Sequence, residues 1–277
     1  MTVTDLDRMA LARRLEAIQV DFVRGAAADS ISVGEGCAAA NGVGSYLNKA
    51  VGFGLDDEPN DVDLDAMEAF FSSRGIEPKV ELTAFAPLSL LDRLARRGFV
   101  LRELENSFFR PLSRDEDLGR LLPDRWPEGL VLEWVDPTDE ARLRIFVQAS
   151  ASGFLPEGQP APEEWMATGL GFARRPGTDN YLAVVDGEVA GGAGCSTRHG
   201  LVSLYGTSVL PRFRRRGIQQ ALMVARLERG RALGADLADI TSRPGISTER
   251  NATRLGFQLG YVRVVLVKPG PGLAPSP

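Results

Sequence analysis

One histidine and two cysteines in 277 residues leave little from which to build a metal centre. His199 stands alone in the turn-like Arg198-His199-Gly200, which excludes a multi-histidine site. Cys37 and Cys195 lack the spacing of metal ligands, and so few thiols fit a reducing compartment. Cys195 falls in an expected strand and reads as a buried thiol with no histidine to activate it. No apolar run is long enough to span a membrane. The opening Met1-Thr-Val-Thr-Asp-Leu-Asp7 lacks a basic start leading into an apolar stretch, so a cytoplasmic protein is expected. No Gly-Lys-Ser/Thr follows a glycine-rich turn, so a P-loop is absent. A basic excess is absent too: 32 Lys and Arg against 37 Asp and Glu leave a net charge of −5, which argues against general nucleic-acid binding.

What is present is an ordinary globular composition, 44% hydrophobic and 25% charged, at a length that suits two domains. Such a chain can bury a core without disulfides or a structural metal. Two segments share one plan. VELTAFAPLSLLDRLARRGFVLRELENSFFRPL starts at Val80, and ADITSRPGISTERNATRLGFQLGYVRVVLVKP starts at Ala238. At a single offset of 158 residues Gly98-Phe99 meets Gly256-Phe257, and Thr83, Ser89, Arg96, Leu101 and Pro111 meet Thr241, Ser247, Arg254, Leu259 and Pro269. Each copy reads as strand, turn, short helix capped by glycine, then a second strand. A duplicated fold is expected, with domains at 1–120 and 130–268. The joint is the charged, proline-bearing stretch Ser113–Gly129, and a Pro/Gly-rich tail at 269–277 is expected to be disordered.

Within the second half, Leu130–Trp134 reads as a strand and Asp136-Pro-Thr-Asp139 as the start of a helix reaching about Ala151. A short helix with Glu163, Glu164 and Trp165 follows. Tyr181–Val185, Asp186-Gly187 and Glu188–Ala190 read as a hairpin. Leu201–Val209 is a strand, and a long helix lies within Pro211–Gly234, its apolar stripe formed by Ile218, Ala221, Leu222, Ala225, Ala232 and Leu233. Strand 237–242, helix 247–255 and strand 258–267 are expected to close this half. The fold class is α/β, with a mixed, mostly antiparallel sheet flanked by helices and two similar domains in tandem.

The stretch that carries chemistry is Ser208–Met223. A strand ends, Pro211 breaks it, and Arg214-Arg215-Arg216-Gly217 opens an amphipathic helix. A helix N-terminus presents unpaired N–H groups and the positive end of a dipole, which suits a pyrophosphate. Gly217 lets the backbone approach an anion closely, and the arginines add charge. These residues resemble the GNAT superfamily of acetyl-CoA-dependent N-acetyltransferases. That family carries Val-x-Pro-x-x-Arg/Gln-x-x-Gly-x-Gly/Ala between its fourth strand and third helix. Val209, Pro211, Arg214 and Gly217 match, whereas Gln219 stands where Gly or Ala is usual. The resemblance runs over residues 130–268 and includes the later helix that ends in Gly-Phe.

The resemblance implies that acetyl-CoA is the co-substrate. Its pyrophosphate would lie on Arg216, Gly217, Ile218, Gln219 and Gln220, with Arg214 and Arg215 adding charge, and its arm would lie near Asn251, with Ser247 a weaker contact. The N–H of Val209, or of its neighbour Leu210, would polarise the thioester carbonyl. Many members place a tyrosine acid four residues before the Gly of Gly-Phe; here that position is Ala252, leaving Tyr261 or Tyr205 as weak substitutes. Strand 201–209 holds no Asp or Glu to act as a base. The expected function is transfer of an acetyl group to a primary amine, on a small molecule or a peptide, by direct attack in a ternary complex. A non-catalytic acyl-CoA-binding protein is the alternative. No metal, nucleic acid or membrane is expected as a partner, and the chain is expected to be a monomer or homodimer. In the first half the same offset puts Asp56-Asp57-Glu58-Pro59 where the second half has Arg214–Gly217. A first domain without a cofactor site is therefore expected.

Overall fold

A computed structural model describes residues 7–275. Its elements in chain order are α1 (Arg8–Ala26), β1 (Asp29–Val33), β2 (Gly36–Ala40), β3 (Lys49–Val51), α2 (Asp61–Ser72), β4 (Lys79–Thr83), α3 (Leu88–Arg96), β5 (Val100–Pro111), β6 (Leu130–Trp134), α4 (Glu140–Ala151), α5 (Glu163–Ala173), β7 (Thr178–Val185), β8 (Glu188–Arg198), β9 (Leu201–Val209), α6 (Ile218–Ala232), β10 (Leu237–Ser242), α7 (Ser247–Arg254) and β11 (Gln258–Val267). The class is α/β, with strands paired mostly antiparallel and parallel at β3–β4 and β9–β10. The offset of 158 residues maps β4 onto β10, α3 onto α7, the start of β5 onto that of β11, and α2 onto the body of α6. Both helix-ending glycines are left-handed, Gly98 at φ 89° and Gly256 at φ 84°. Among the described residues no helix is long and apolar enough to cross a membrane, and no cluster of three His, Cys, Asp or Glu is placed to hold a metal.

The chain divides into two compact units whose limits differ from the spans expected above. The first takes residues up to Phe108, then Ser242–Glu249 and Leu259–Pro277; the second takes Phe109–Thr241 and Arg250–Gln258. The strand expected to close the second half is thus counted with the first unit. There β11 runs antiparallel to β4, with Arg263 opposite Thr83 and Val265 opposite Glu81. The physical reason is that main-chain pairing does not distinguish between copies of one motif, whereas buried side chains do. Arg263 is fully buried and needs an acceptor, and Glu16 of α1 supplies one, at 2.5 Å from its guanidinium. The tail also departs from expectation within the described residues. The Ala274 N–H donates to the Gly75 carbonyl at 2.8 Å, and the Ala274 carbonyl accepts from the Glu77 N–H at 3.0 Å. Positions 276 and 277 of the expected tail lie outside the described residues.

In the first unit the strand order is β1-β2-β3-β4-β11-β5. Leu64, Met67, Phe70 and Phe71 of α2 and Leu90 and Leu94 of α3 pack on Val80 and Leu82 of β4, an amphipathic stripe on alternate strand residues. On the other face of β4, Glu81 is buried with Lys49 Nζ at 2.9 Å. Burial alone would push the Glu81 carboxyl up. Lys49, Lys79 and Arg263 outweigh that and bring it to about 2. A depressed carboxyl contributes stability above its unfolded value, and loses it as pH falls towards its folded value. Glu81→Gln is expected to destabilise the protein at neutral pH, by about 3 kcal/mol on the scale of broken buried pairs. In thermal melts the gap between variant and parent should close as pH drops from about 4.5 to about 2. A gap that does not change with pH would rule out this account of Glu81.

In the second unit the order is β10-β9-β8-β7-β6. The period of two along β7 serves two cores. Leu182 and Val184 meet Leu143, Phe146 and Val147 of α4 and Met166 and Leu170 of α5, whereas Ala183 and Val185 join Ile218, Ala221 and Leu222 of α6. Asp139 caps α4 through its carboxylate, at 3.0 Å from the Arg142 N–H. Asp186 and Gly187 are both left-handed, as a two-residue hairpin turn requires.

Candidate active site

The site lies where β9 leaves the sheet of the second unit. β10 pairs with β9 only from Leu201 to Leu204, so among the described residues no strand pairs with Tyr205–Val209 on that edge. The other edge is held by β8, and the pairing there contains a step. Tyr205 opposes Gly194, but Ser208 opposes Gly192, so Gly206 and Thr207 together face Ala193. This is a β-bulge with its extra residue in β9, and Gly206 at φ 58° takes the left-handed conformation it requires. Beyond the bulge the Leu210 N–H donates to the Ala190 carbonyl at 2.8 Å. Leu210, named above as a possible donor to a thioester, thus has its N–H engaged. Successive strand residues direct their N–H groups to opposite edges, so that of Val209 points to the open edge. The Val209 carbonyl shares that edge, and it accepts from Arg214 Nε at 3.0 Å.

Pro211–Phe213 form one 3-10 turn, and Phe213 anchors it in the core with Ile218. Arg215 at φ 62° and Gly217 at φ 82° are both left-handed, and the chain between them turns back on itself before α6 begins. Gly217 caps α6 without a side chain, so the cap offers no side-chain acceptor to the first N–H groups of the helix, and the Ala221 N–H donates to the Gly217 carbonyl at 3.0 Å. A left-handed loop followed by a helix start whose N–H groups lack a side-chain cap leaves those donors directed at solvent. The arginines are exposed and have few acidic neighbours. Arg212 pairs with Glu188 at 2.6 Å, Arg216 reaches the Glu128 carbonyl at 3.2 Å, and Arg215 makes no hydrogen bond or ion pair among the described residues.

Two further expected contacts lie beside this helix start. Asn251 Nδ2 donates to Gln219 Oε1 at 2.6 Å, which turns the Gln219 side chain onto α7 and leaves its backbone N–H in the helix's first turn. Gln220 uses its amide on the Leu121 carbonyl at 2.6 Å. Ser247 and Tyr261 are not part of this unit: both are counted with the first. Tyr261 is buried there, its hydroxyl 3.4 Å from Glu16 Oε1 and its ring 5.9 Å from that of Phe85, which is a packing role. Tyr205 packs edge-on against Phe172 at 4.9 Å. Glu163 and Glu164 are exposed in the first turn of α5, where they complement its dipole. Cys195 is buried, and burial pushes its thiol up to about 12, so it is no nucleophile at neutral pH.

The sequence reading missed three features. Pro123 and Pro127 of the charged joint pack against Gly217, where an added Cβ would lie 2.7 Å from Pro123 Cγ. Ser152, at the end of α4, meets Ser208 of β9 with their hydroxyls 2.8 Å apart. Arg226 is fully buried on α6 beneath the bulge. A glycine inside an apolar strand, Gly206, was the available signal for the bulge; nothing in the local pattern marks Arg226.

The first unit differs at the equivalent helix start. Asn60 caps α2 and forms a reciprocal capping box with Asp63, its side chain 3.0 Å from the Asp63 N–H. In the acidic loop before it, Asp56 pairs with Arg13 at 2.6 Å and Glu58 with Arg93 at 3.0 Å.

Comparison with curated proteins found no match. Solved structures of similar fold include a GCN5-related N-acetyltransferase from Kribbella flavida, 20% identical, covering 95% of this chain and 97% of that one at a TM-score of 0.66. A GCN5-related N-acetyltransferase from Sphaerobacter thermophilus is 17% identical and covers 77% of this chain and 70% of that one at a TM-score of 0.55. A tandem GNAT protein from the clavulanic acid biosynthesis pathway is 17% identical and covers 73% and 67% at a TM-score of 0.56. The model of the acetyltransferase (GNAT) family matches residues 140–257. That segment contains the splayed strand, the arginine loop and the uncapped helix, and the solved structures share the chain's α/β fold, one of them being itself a tandem GNAT protein.

Proposed function

We propose that the second unit binds acetyl-CoA and transfers its acetyl group to a primary amine. The reading rests on one juxtaposition: a strand end whose Val209 N–H faces an open edge runs, through one short turn, into an uncapped helix start ringed by exposed arginines. The pyrophosphate of acetyl-CoA would lie on the N–H groups of Ile218, Gln219 and Gln220, with Arg214, Arg215 and Arg216 around it. The Val209 N–H would then meet the thioester oxygen as negative charge develops there. A neutral amine attacks the carbonyl carbon in a ternary complex, the C–S bond breaks, and the new ammonium gives up its proton to water or buffer. A thiol of pKa about 8.5 leaves more readily than an amine of about 10.4, so the thiolate can depart without a protein acid. Asn251 would contact the arm of the co-substrate.

The first unit, with α2 capped by its own Asn60, is proposed to lack a cofactor site. The reaction is placed in the cytoplasm, where the two cysteines remain thiols. A second reading, a non-catalytic acyl-CoA-binding protein, draws on Ala252 in place of the tyrosine acid and on Tyr261 being engaged with Glu16. Calorimetric titration of acetyl-CoA into the purified protein tests binding, with a roughly micromolar affinity expected. No heat at about millimolar acetyl-CoA would remove both readings. Turnover on a panel of small and peptide amines separates them, because the non-catalytic protein binds without releasing free CoA thiol.

A further inference from the structure

An arginine without a carboxylate partner is a costly thing to bury, and Arg226 is wholly buried with only carbonyl acceptors among the described residues. Its Nε donates to the Leu222 carbonyl of its own helix at 2.9 Å. Its Nη1 reaches two carbonyls on neighbouring strands, Gly194 of β8 at 2.9 Å and Tyr205 of β9 at 3.3 Å. These two residues are the last regular pair before the bulge. Burial draws the guanidinium down to about 10, so it remains charged at neutral pH. The cation therefore sits on the carbonyls of the strand pair that borders the extra residue in β9.

The bulge decides which N–H faces the open edge. From Leu201 to Tyr205 the register fixes each partner on β8, and if it continued unbroken Ala190 would oppose Val209. Val209 would then donate to Ala190 and be lost to the site. With Gly206 inserted, Leu210 takes that place and Val209 faces outward. We propose that Arg226 is a positioning residue. By clamping the Gly194 and Tyr205 carbonyls it holds the bulge in β9, and so selects Val209, not Leu210, as the N–H offered to the thioester. The catalytic half of this inference rests on the acetyl-transfer reading; the structural half does not.

The test uses the full chain and two kinds of readout. Amide hydrogen exchange by NMR follows Val209 and Leu210 directly. In the parent, Leu210 is protected by Ala190 and Val209 exchanges freely. In Arg226→Met, Leu210 is expected to lose protection and Val209 to gain it. In kinetics the same variant is expected to lose about 100-fold in kcat, the scale of one missing oxyanion donor. Its acetyl-CoA Kd should stay within about threefold, because the helix start lies roughly two turns away. A merely structural arginine would lower affinity and turnover together, or neither. Arg226→Lys keeps the charge but loses the Nε bond to the Leu222 carbonyl that fixes the guanidinium under the two strands, and an intermediate loss of about tenfold in kcat is expected. If Arg226→Met does not fold, Arg226→Lys decides by the same two readouts. A folded variant with unchanged exchange at Val209 and Leu210 overturns the proposal. A parent that neither binds nor turns over acetyl-CoA would overturn the acetyl-transfer reading instead, and the exchange pattern would still report on Arg226.

Discussion

Val209→Pro is expected to cut turnover by about 10²–10³-fold while leaving acetyl-CoA affinity within a few-fold, the pattern of a lost oxyanion donor. Proline removes the one N–H that the proposed mechanism directs at the thioester oxygen. The substitution suits the fold for a local reason. The Val209 N–H faces an edge that β10 has already left, so no ladder bond is lost. Its Cγ and Cβ replace part of the valine side chain, and Ser208 before it is already extended in β9. Steady-state kinetics with a good amine acceptor, paired with calorimetry, checks the split. A variant with unchanged kcat would remove Val209 from the mechanism. A variant that loses binding and turnover together would show that the strand end had been rebuilt.

Gly217→Asp is expected to abolish acetyl-CoA binding in practice, with a loss of at least about 100-fold for two weakened charge-assisted bonds. Two effects combine. Any side chain at position 217 meets Pro123 and must adopt a left-handed backbone, at about 1–2 kcal/mol. Aspartate also sets a negative charge at the helix start, against the phosphates. Gly217→Ala separates these effects, since it carries the strain without the charge and is expected to lose about tenfold. Titration calorimetry of the three proteins at two salt concentrations reads the difference between Ala and Asp, which should shrink as salt rises. Equal losses in both variants would mean that only the shape at Gly217 matters and that the arginine loop is no anion site.

The second unit's elements around the candidate site were legible in the sequence because each rests on a local rule. Asp139 announces the start of α4, Asp186-Gly187 the hairpin, and Pro211 the end of β9. The arginine loop was visible because a strand end, a proline and a glycine helix start are all short-range signals. The repeat was legible for the same reason, since its offset holds through helix, glycine and strand. What escaped was non-local. In sequence Tyr261 is only a weak candidate acid, and its packing beside Glu16, far away along the chain, is not written in any local pattern. Leu210 and Val209 are indistinguishable in sequence as donors, and only the bulge at Gly206 tells them apart.

The sequence by itself determined the α/β class, the duplicated plan and the positive charge of the loop before α6, because secondary-structure period, turn chemistry and charge are written within a few residues. Tertiary structure alone decided that β11 counts with the first unit, that Arg226 sits under the bulge, and which backbone N–H faces the open edge. Strand pairing is made by main-chain groups that every residue carries, so register and partner are chosen by buried contacts between residues remote in sequence: Arg263 with Glu16, and Arg226 with Gly194 and Tyr205.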